Sequence, residues 1–227
     1  MHYTLSVKTQ PASEPVTLAE AKAHLSIDSS NTAWDSVITD FIKAAREQAE
    51  IFTNRCLLPQ TLTMILDYFP FSAGNDSQYF GRDRAPSDAR SFERLVIQLG
   101  GAGPIEIPRA PLISVDSITY TDTTGATQTL ATSEYVVDAQ GDDEPVRILP
   151  AYGKTWPATR IYPNAVTIQF QAGYANAAAV PSSIKSAIKQ IVGTWQENRE
   201  SVVTDTRVAA LELPEVGKAL LWPYRLF

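Results

Sequence analysis

Cysteine occurs once, at Cys56, in a chain of 227 residues. A lone cysteine excludes an intramolecular disulfide and fits a reducing compartment such as the cytosol. Cys56 reads as a small apolar residue near a helix end, not as a nucleophile. Histidine occurs only at His2 and His24. With two imidazoles and one thiol, zinc would need carboxylates gathered by the fold, so no metal site is expected. Charged residues make up 19% of the chain, below the ~25% of an average soluble protein. That scarcity fits a chain that hides surface in an assembly. The balance is acidic, 19 Lys and Arg against 25 Asp and Glu, for a net charge of −6. Grip on nucleic acid depends on cations that neutralise phosphates. The composition is compatible with a chain that sits beside DNA without holding it. No apolar run approaches the ~18 residues of a membrane helix, so no membrane association is expected. The start of the chain lacks the basic, apolar and small-residue regions of a signal peptide, and none is expected. No repeat is evident at periods of about 20–50 residues.

What is present is organised by hydrophobic period. The segment to Pro15 is polar and reads as an extended arm. Thr17-Leu18-Ala19-Glu20 matches a capping box, which predicts a short helix to about Leu25. Residues 26–31 break it with side chains that compete for backbone hydrogen bonds. A long helix is expected over residues 33–54, capped by Thr32. Trp34, Val37, Ile38, Phe41, Ile42, Ala45, Ala49 and Phe52 form its apolar stripe, with Asp40, Lys43, Arg46, Glu47 and Glu50 largely off it. After Pro59 the period changes. A strand is expected over 61–69, and residues 71–94 read as a long exposed loop. Strands are expected at 95–99, 113–120, 127–130, 135–138, 146–149 and 166–170, in one antiparallel sheet or small barrel. Asp122-Thr123-Thr124-Gly125 marks a hairpin turn. Pro181 opens a last long helix, striped by Ile184, Ala187, Ile188, Ile191, Val192 and Trp195 and ending near Arg199.

The expected fold is α+β. A small bundle of N-terminal helices plus a C-terminal helix carries an inserted antiparallel β-subdomain and an apolar C-terminal tail. The divisions fall at 1–59 (arm and bundle helices), 60–174 (β insertion), 175–200 (closing helix) and 201–227 (tail). The tail is apolar where chain ends are normally polar. Its residues 214–221 are expected to form a short amphipathic helix, stopped by Pro223. Leu211, Leu213, Leu220, Leu221, Trp222, Tyr224, Arg225 and Phe227 are the candidate partner-binding residues, because Trp, Tyr and Arg dominate interfaces. The alternative is that this segment folds back on its own bundle.

Patterns that suggest chemistry fail on context. Gly100-Gly101-Ala102-Gly103 is followed by Pro104 and no Lys-Ser or Lys-Thr pair, so it is no phosphate cradle. Ser182-x-x-Lys185 and Ser186-x-x-Lys189 both match an acylase motif, but its partner motifs are missing. Asp138, Asp142, Asp143 and Glu144 surround Gly141 without EF-hand spacing and read as a solvated turn. Asn75-Asp76-Ser77 is a glycosylation sequon without a secretory context, and Glu197, Arg199 and Glu200 read as a charged helix end. No catalytic residue and no cofactor are expected.

Four stretches taken together resemble the phage head–tail connector (adaptor) family of long-tailed phages and gene-transfer-agent-like particles. They are Glu14 to Leu25; Ile42 to Glu50 with Thr53-Asn54-Arg55 and Gln60-Thr61; Leu112 to Tyr120 with Gly125; and Trp156-Pro157, Val166 to Tyr174, Val180-Pro181 and Arg199-Glu200. The resemblance covers most of the chain, in the family's order. It departs at 71–94, which is longer than the family's link. The resemblance implies a structural, non-enzymatic subunit of a twelve-fold ring beneath the portal. It implies as partners further copies of the chain, the portal protein, head-stopper or tail proteins, and DNA passing through the channel. It implies assembly in the bacterial cytoplasm and residence in the virion. A head-stopper or tail-terminator ring protein is the alternative within that class, and a small hydrolase the alternative outside it.

Overall fold

The computed structural model describes residues 3–70, 103–139, 141, 145–197 and 214–226. The expected loop at 71–94, the expected strand at 95–99, and Asp142 to Glu144, Arg199 and Glu200 lie outside the described residues. The chain forms two compact units, each built from two separate stretches. One comprises Met1–Thr9 and Gln60–Ala172, the other Gln10–Pro59 and Gly173–Phe227.

The second unit is helical. It contains α1 (Leu18–His24), α2 (Asp35–Thr53), α3 (Ser182–Glu197) and α4 (Glu215–Leu221), the last running into a 3₁₀ turn at Trp222–Tyr224. The capping box forms at α1: Glu20 N–H donates to Thr17 Oγ1 at 3.2 Å, and Thr17 N–H donates to Glu20 Oε2 at 2.7 Å. α2 starts later than its pattern suggests, with Trp34 at the N-cap and not Thr32. Two side-chain turns consume the intervening residues, since Asp28 accepts from Ser30 N–H and Asn31 from Ala33 N–H. The stripes of α2 and α3 meet as expected. Ile38, Ile42, Ala45 and Ala49 share one core with Ile184, Ala187, Ile188, Ile191 and Val192. Phe41 and Trp195 close its edge in a T-shaped pair, 5.9 Å between ring centres.

Arg46 departs from the sequence expectation. It lies off the apolar stripe, yet its side chain is 1% exposed. Burial of a guanidinium is tolerable only with charged partners. Arg46 Nε donates to Glu14 Oε2 at 2.8 Å, Nη1 to Glu50 Oε2 at 2.7 Å, and Nη2 to Glu47 Oε1 at 3.3 Å. Glu50 in turn accepts from the Leu57 amide at 2.8 Å through its other oxygen. One cation therefore ties the segment before α1 to the middle of α2, and through Glu50 to the segment after α2. Burial pushes the Glu14 carboxyl above its ordinary range, while the guanidinium opposes that shift.

The first unit is all β. It contains β1 (Tyr3–Thr9), β2 (Gln60–Leu66), β3 (Ile105–Ile107), β4 (Leu112–Thr121), β5 (Thr127–Thr129), β6 (Tyr135–Asp138), β7 (Val146–Pro150) and β8 (Val166–Ala172). Two antiparallel sheets form where one sheet or a barrel was expected. The five-stranded sheet runs β1-β2-β8-β4-β5, and the three-stranded sheet runs β3-β7-β6. The second sheet is centred on β7, which pairs with β6 and with β3, a strand flanked by Pro104 and Pro108 whose short apolar pattern gives little sequence signal. The start of the chain, read as an arm, is extended but not loose. It pairs with β2 from Tyr3 opposite Leu66 to Thr9 opposite Thr61. The inner strands alternate cleanly: Leu62, Met64 and Leu66 on β2 and Val166, Ile168, Phe170 and Ala172 on β8 are buried. Gln60 lies opposite Ala172, so the first and last residues of the long stretch are paired. The expected hairpin turn is present, with Asp122 Oδ1 accepting from the amides of Thr124 and Ala126 and Gly125 at φ 93°. Phe69 and Trp156 stack at 5.0 Å, and Trp156 Nε1 donates to Gly103 O at 2.9 Å.

Gly173 follows β8 with φ 133° and its α-carbon pressed on the Leu58 carbonyl. A Cβ there would overlap backbone atoms, in a conformation L-residues avoid. Gly173→Ala is expected to cost at least about 2 kcal/mol or to abolish folding, read from the denaturant midpoint. Arg46→Leu leaves Glu14, Glu47 and Glu50 without their cation and should cost about 3–5 kcal/mol, checked the same way; an unchanged midpoint contradicts the network. Hydrogen bonds from Thr17 hold the Glu20 carboxyl below its ordinary value of 4.5. Its contribution is therefore present above pH 4.5 and is lost as pH falls through the lower folded value. Glu20→Gln is expected to flatten that part of the acid limb of a stability–pH curve.

Candidate interaction surface

The C-terminal segment carries most of the candidate partner-binding residues, and the helical unit positions it. α2 ends at Thr53, with Asn54 in the left-handed conformation at φ 56°. A helix end leaves carbonyls without intrahelical donors. The segment after α4 supplies one: Leu226 N–H donates to Thr53 O at 2.9 Å. Asn54 Nδ2 donates back to Leu226 O at 3.1 Å. Buried Arg55 donates from Nε to Tyr224 O at 2.6 Å. Three hydrogen bonds thus clip the segment to the C-terminal end of α2.

Its side chains divide into two groups. Leu221 is fully buried and Leu226 nearly so, while Leu220 and Tyr224 pack half-buried against the bundle core. Gly217 lies flat against Ile191 of α3. Leu221 is therefore consumed by its own core and is not available to a partner. Trp222 is 56% exposed and Val216 60%, and Arg225 is exposed. Trp222 tilts against Phe52 at 6.3 Å. The Arg225 guanidinium lies over both rings, 5.5 Å from Phe52 and 5.7 Å from Trp222. Leu211, Leu213 and Phe227 lie outside the described residues.

The structure thus assembles Trp222, Arg225 and Phe52 into one surface cluster and withdraws Leu221 from it. Phe52 continues the stripe of α2 and packs partly buried against the bundle core, and its ring also borders Trp222 and Arg225. Ile51, 69% exposed on the same turn, is an isoleucine off the stripe of an amphipathic helix. That position was the available sequence signal for an apolar surface here. The cluster offers aromatic area, an apolar neighbour and one planar cation. Its chemistry is that of protein recognition. Among the described residues no group of His, Cys, Asp and Glu is arranged to hold a metal ion.

The model of the phage gp6-like head-tail connector proteins matches residues 15–146, more than half of the chain. The chain belongs to this family. Its role is structural, at the junction of a head and a tail. The connector's match takes in α1, α2 and all strands from β2 to β6. Among curated proteins, none matches the connector in sequence. Solved structures that share its fold include chains of gene transfer agent particles. The neck of an empty gene transfer agent particle, computed with C6 symmetry, contains a chain 18% identical with TM-score 0.69. The virion of a native gene transfer agent particle contains one 18% identical with TM-score 0.68. The neck of a native particle computed with C12 symmetry contains one 16% identical with TM-score 0.65. Each alignment covers 99% of the connector and 96% of the other chain. No helix among the described residues is long and apolar enough to cross a membrane.

Leu221→Ala is expected to destabilise the fold by about 2–5 kcal/mol, because its cavity opens in the bundle core. Trp222→Ala should change stability by no more than about 1 kcal/mol, the scale of an exposed cation–aromatic contact. Thermal unfolding of both variants checks the division of the segment into a buried and an outward row.

Proposed function

We propose that this connector is a ring-forming subunit of the neck of a tailed, phage-like particle. It sits beneath the portal, joins the DNA-filled head to the tail, and performs no catalysis. The observation that carries the reading is the family match across α1 to β6. The fold shared over nearly the whole chain with neck structures of C6 and C12 symmetry supports the ring, with twelve copies as its order. The portal on one side and a head-stopper or tail protein on the other are its partners. DNA passes through the ring without sequence-specific contact, a role suited by a net charge of −6. The connector resides in the virion and assembles in the bacterial cytoplasm.

The outward row of the C-terminal segment is the docking element in this reading. Val216, Trp222 and Arg225, with Phe52 beside them, meet a neighbouring protein of the neck. Leu211, Leu213 and Phe227 belong to the same proposal by composition. The division of the chain at 60–174, as a β insertion in a helical frame, is part of it too.

Particles produced without this chain are expected to be DNA-filled heads with no tails attached, as seen by electron microscopy. Tailed, infectious or transducing particles formed in its absence sink the reading. The double variant Trp222→Ala, Arg225→Ala should fold normally by circular dichroism and still fail to join heads to tails. Normal joining by that variant removes the C-terminal segment from the docking surface.

A further inference from the structure

We propose that neighbouring copies of the connector join their five-stranded sheets edge to edge. β1 of one copy lies against the open stretch of β4 in the next. The proposal rests on the ring reading above and names the contact that would build the ring.

The first observation is an apolar face left uncovered at both edges of one sheet. Tyr3, Leu5 and Val7 stand in register with Leu66, Met64 and Leu62, which are all buried. Yet Tyr3 is 43% and Val7 45% exposed, and Leu5 is only half-buried. At the other edge, Leu112 and Val115 are in register with buried Ala172 and Phe170 but are themselves half-buried. Ile113 between them is 47% exposed. The apolar face of the sheet thus runs past its own core on both sides.

The second observation is backbone. Among the described residues, β1 pairs only with β2. β5 covers β4 only at Thr119–Thr121, and Leu130 N–H takes the Ile118 carbonyl. Residues 112–117 therefore keep an outer edge with no described strand on it. Natural edges are blunted by charge, proline or a bulge. On β1 the bulge and Lys8 come after Val7, and the Lys8 ammonium is turned onto Gln169 at 2.6 Å. The run from Tyr3 to Val7 is left regular, whereas β4 shifts register against β8 between Leu112 and Ser114 and between Val115 and Ser117, so its run between the two shifts on this edge is Ile113 to Val115.

The third observation is direction. From β1 through β2 and β8 to β4, every neighbour is antiparallel, so β1 and β4 point opposite ways. A small rotation from copy to copy, as in a closed ring, leaves strand directions nearly unchanged. The join is then antiparallel, like every other pairing in the sheet. A ring contact is heterologous and needs two different complementary surfaces. The two edges of this sheet are such a pair. Setting the apolar faces level places Leu5 beside Val115 and Val7 beside Ile113. Strand addition of this kind draws affinity from main-chain hydrogen bonds and register from alternate side chains.

The test uses Cys56→Ser chains carrying one new cysteine each: Leu5→Cys, Val7→Cys, Ile113→Cys or Val115→Cys. Particles assembled from a mixture of a β1 variant and a β4 variant are oxidised and run without reductant. A disulfide-linked dimer is expected from Val7→Cys with Ile113→Cys or from Leu5→Cys with Val115→Cys, and from no variant alone. Dimers from a β1 variant alone would reveal a two-fold β1–β1 contact and overturn the proposal. So would an absence of dimers in particles whose necks contain the ring. Hydrogen exchange on the unsubstituted protein gives a second reading. Amides at residues 3–7 and 112–117 should slow on passing from free chain to assembled neck, and unchanged exchange there overturns the edge contact. A neck without any ring of this chain defeats the ring reading itself, a distinct result.

Discussion

A single buried guanidinium sets the geometry of the helical unit. Arg46 sits where water is excluded, and it is held by Glu14 and Glu50 at hydrogen-bonding distance. Such a group cannot be left with one partner missing, because an uncompensated buried charge costs several kcal/mol. The entry segment bearing Glu14, the middle of α2 and the Leu57 amide held by Glu50 must therefore come together at once. This directional requirement acts where the apolar stripes alone would allow helices to slide or rotate. The core of Ile38, Ile42, Ile188 and Ile191 supplies cohesion, and the ion network selects one arrangement of the segments around it.

The end of α2 extends the same logic to the C-terminal segment. Thr53 O and the Arg55 side chain are taken up by backbone groups of residues 224–226. Leu221 then enters the core, while Trp222 and Arg225 are turned outward beside Phe52. A segment fixed by its backbone and one row of side chains can present the other row rigidly. Rigid presentation lowers the entropy lost when a partner docks, which suits a protein whose role is to join larger bodies.

The β unit solves a different problem. Its inner strands are saturated, with β2 and β8 paired on both sides and alternating buried with half-buried residues. Among the described residues its outer strands are not, and the apolar face continues to both edges. The inner strands of the sheet thus hold its core, while its outer strands carry half-buried and exposed apolar residues.

Much of this was legible in the sequence. The capping box at Thr17 and Glu20, the stripes of α2 and α3, the hairpin at Asp122 to Gly125 and the α+β class all follow from local periodicity and turn chemistry, which depend on neighbours a few residues away. Tertiary structure alone decided the rest. Arg46 and Glu50 look like a solvated helix face, and only the approach of Glu14 from 32 positions away makes their burial possible. The start of the chain shows too weak a pattern to be told from a loose arm; its strand exists because β2 offers it an edge. Leu221 and Trp222 are adjacent apolar residues of similar interface propensity, and no property of either decides which faces the core. The clip between Thr53, Asn54 and Leu226 fixes the rotation of the segment. Local sequence specifies elements through short-range bonding, whereas the partners of a charge, a strand edge or a chain end are set by contacts distant in sequence.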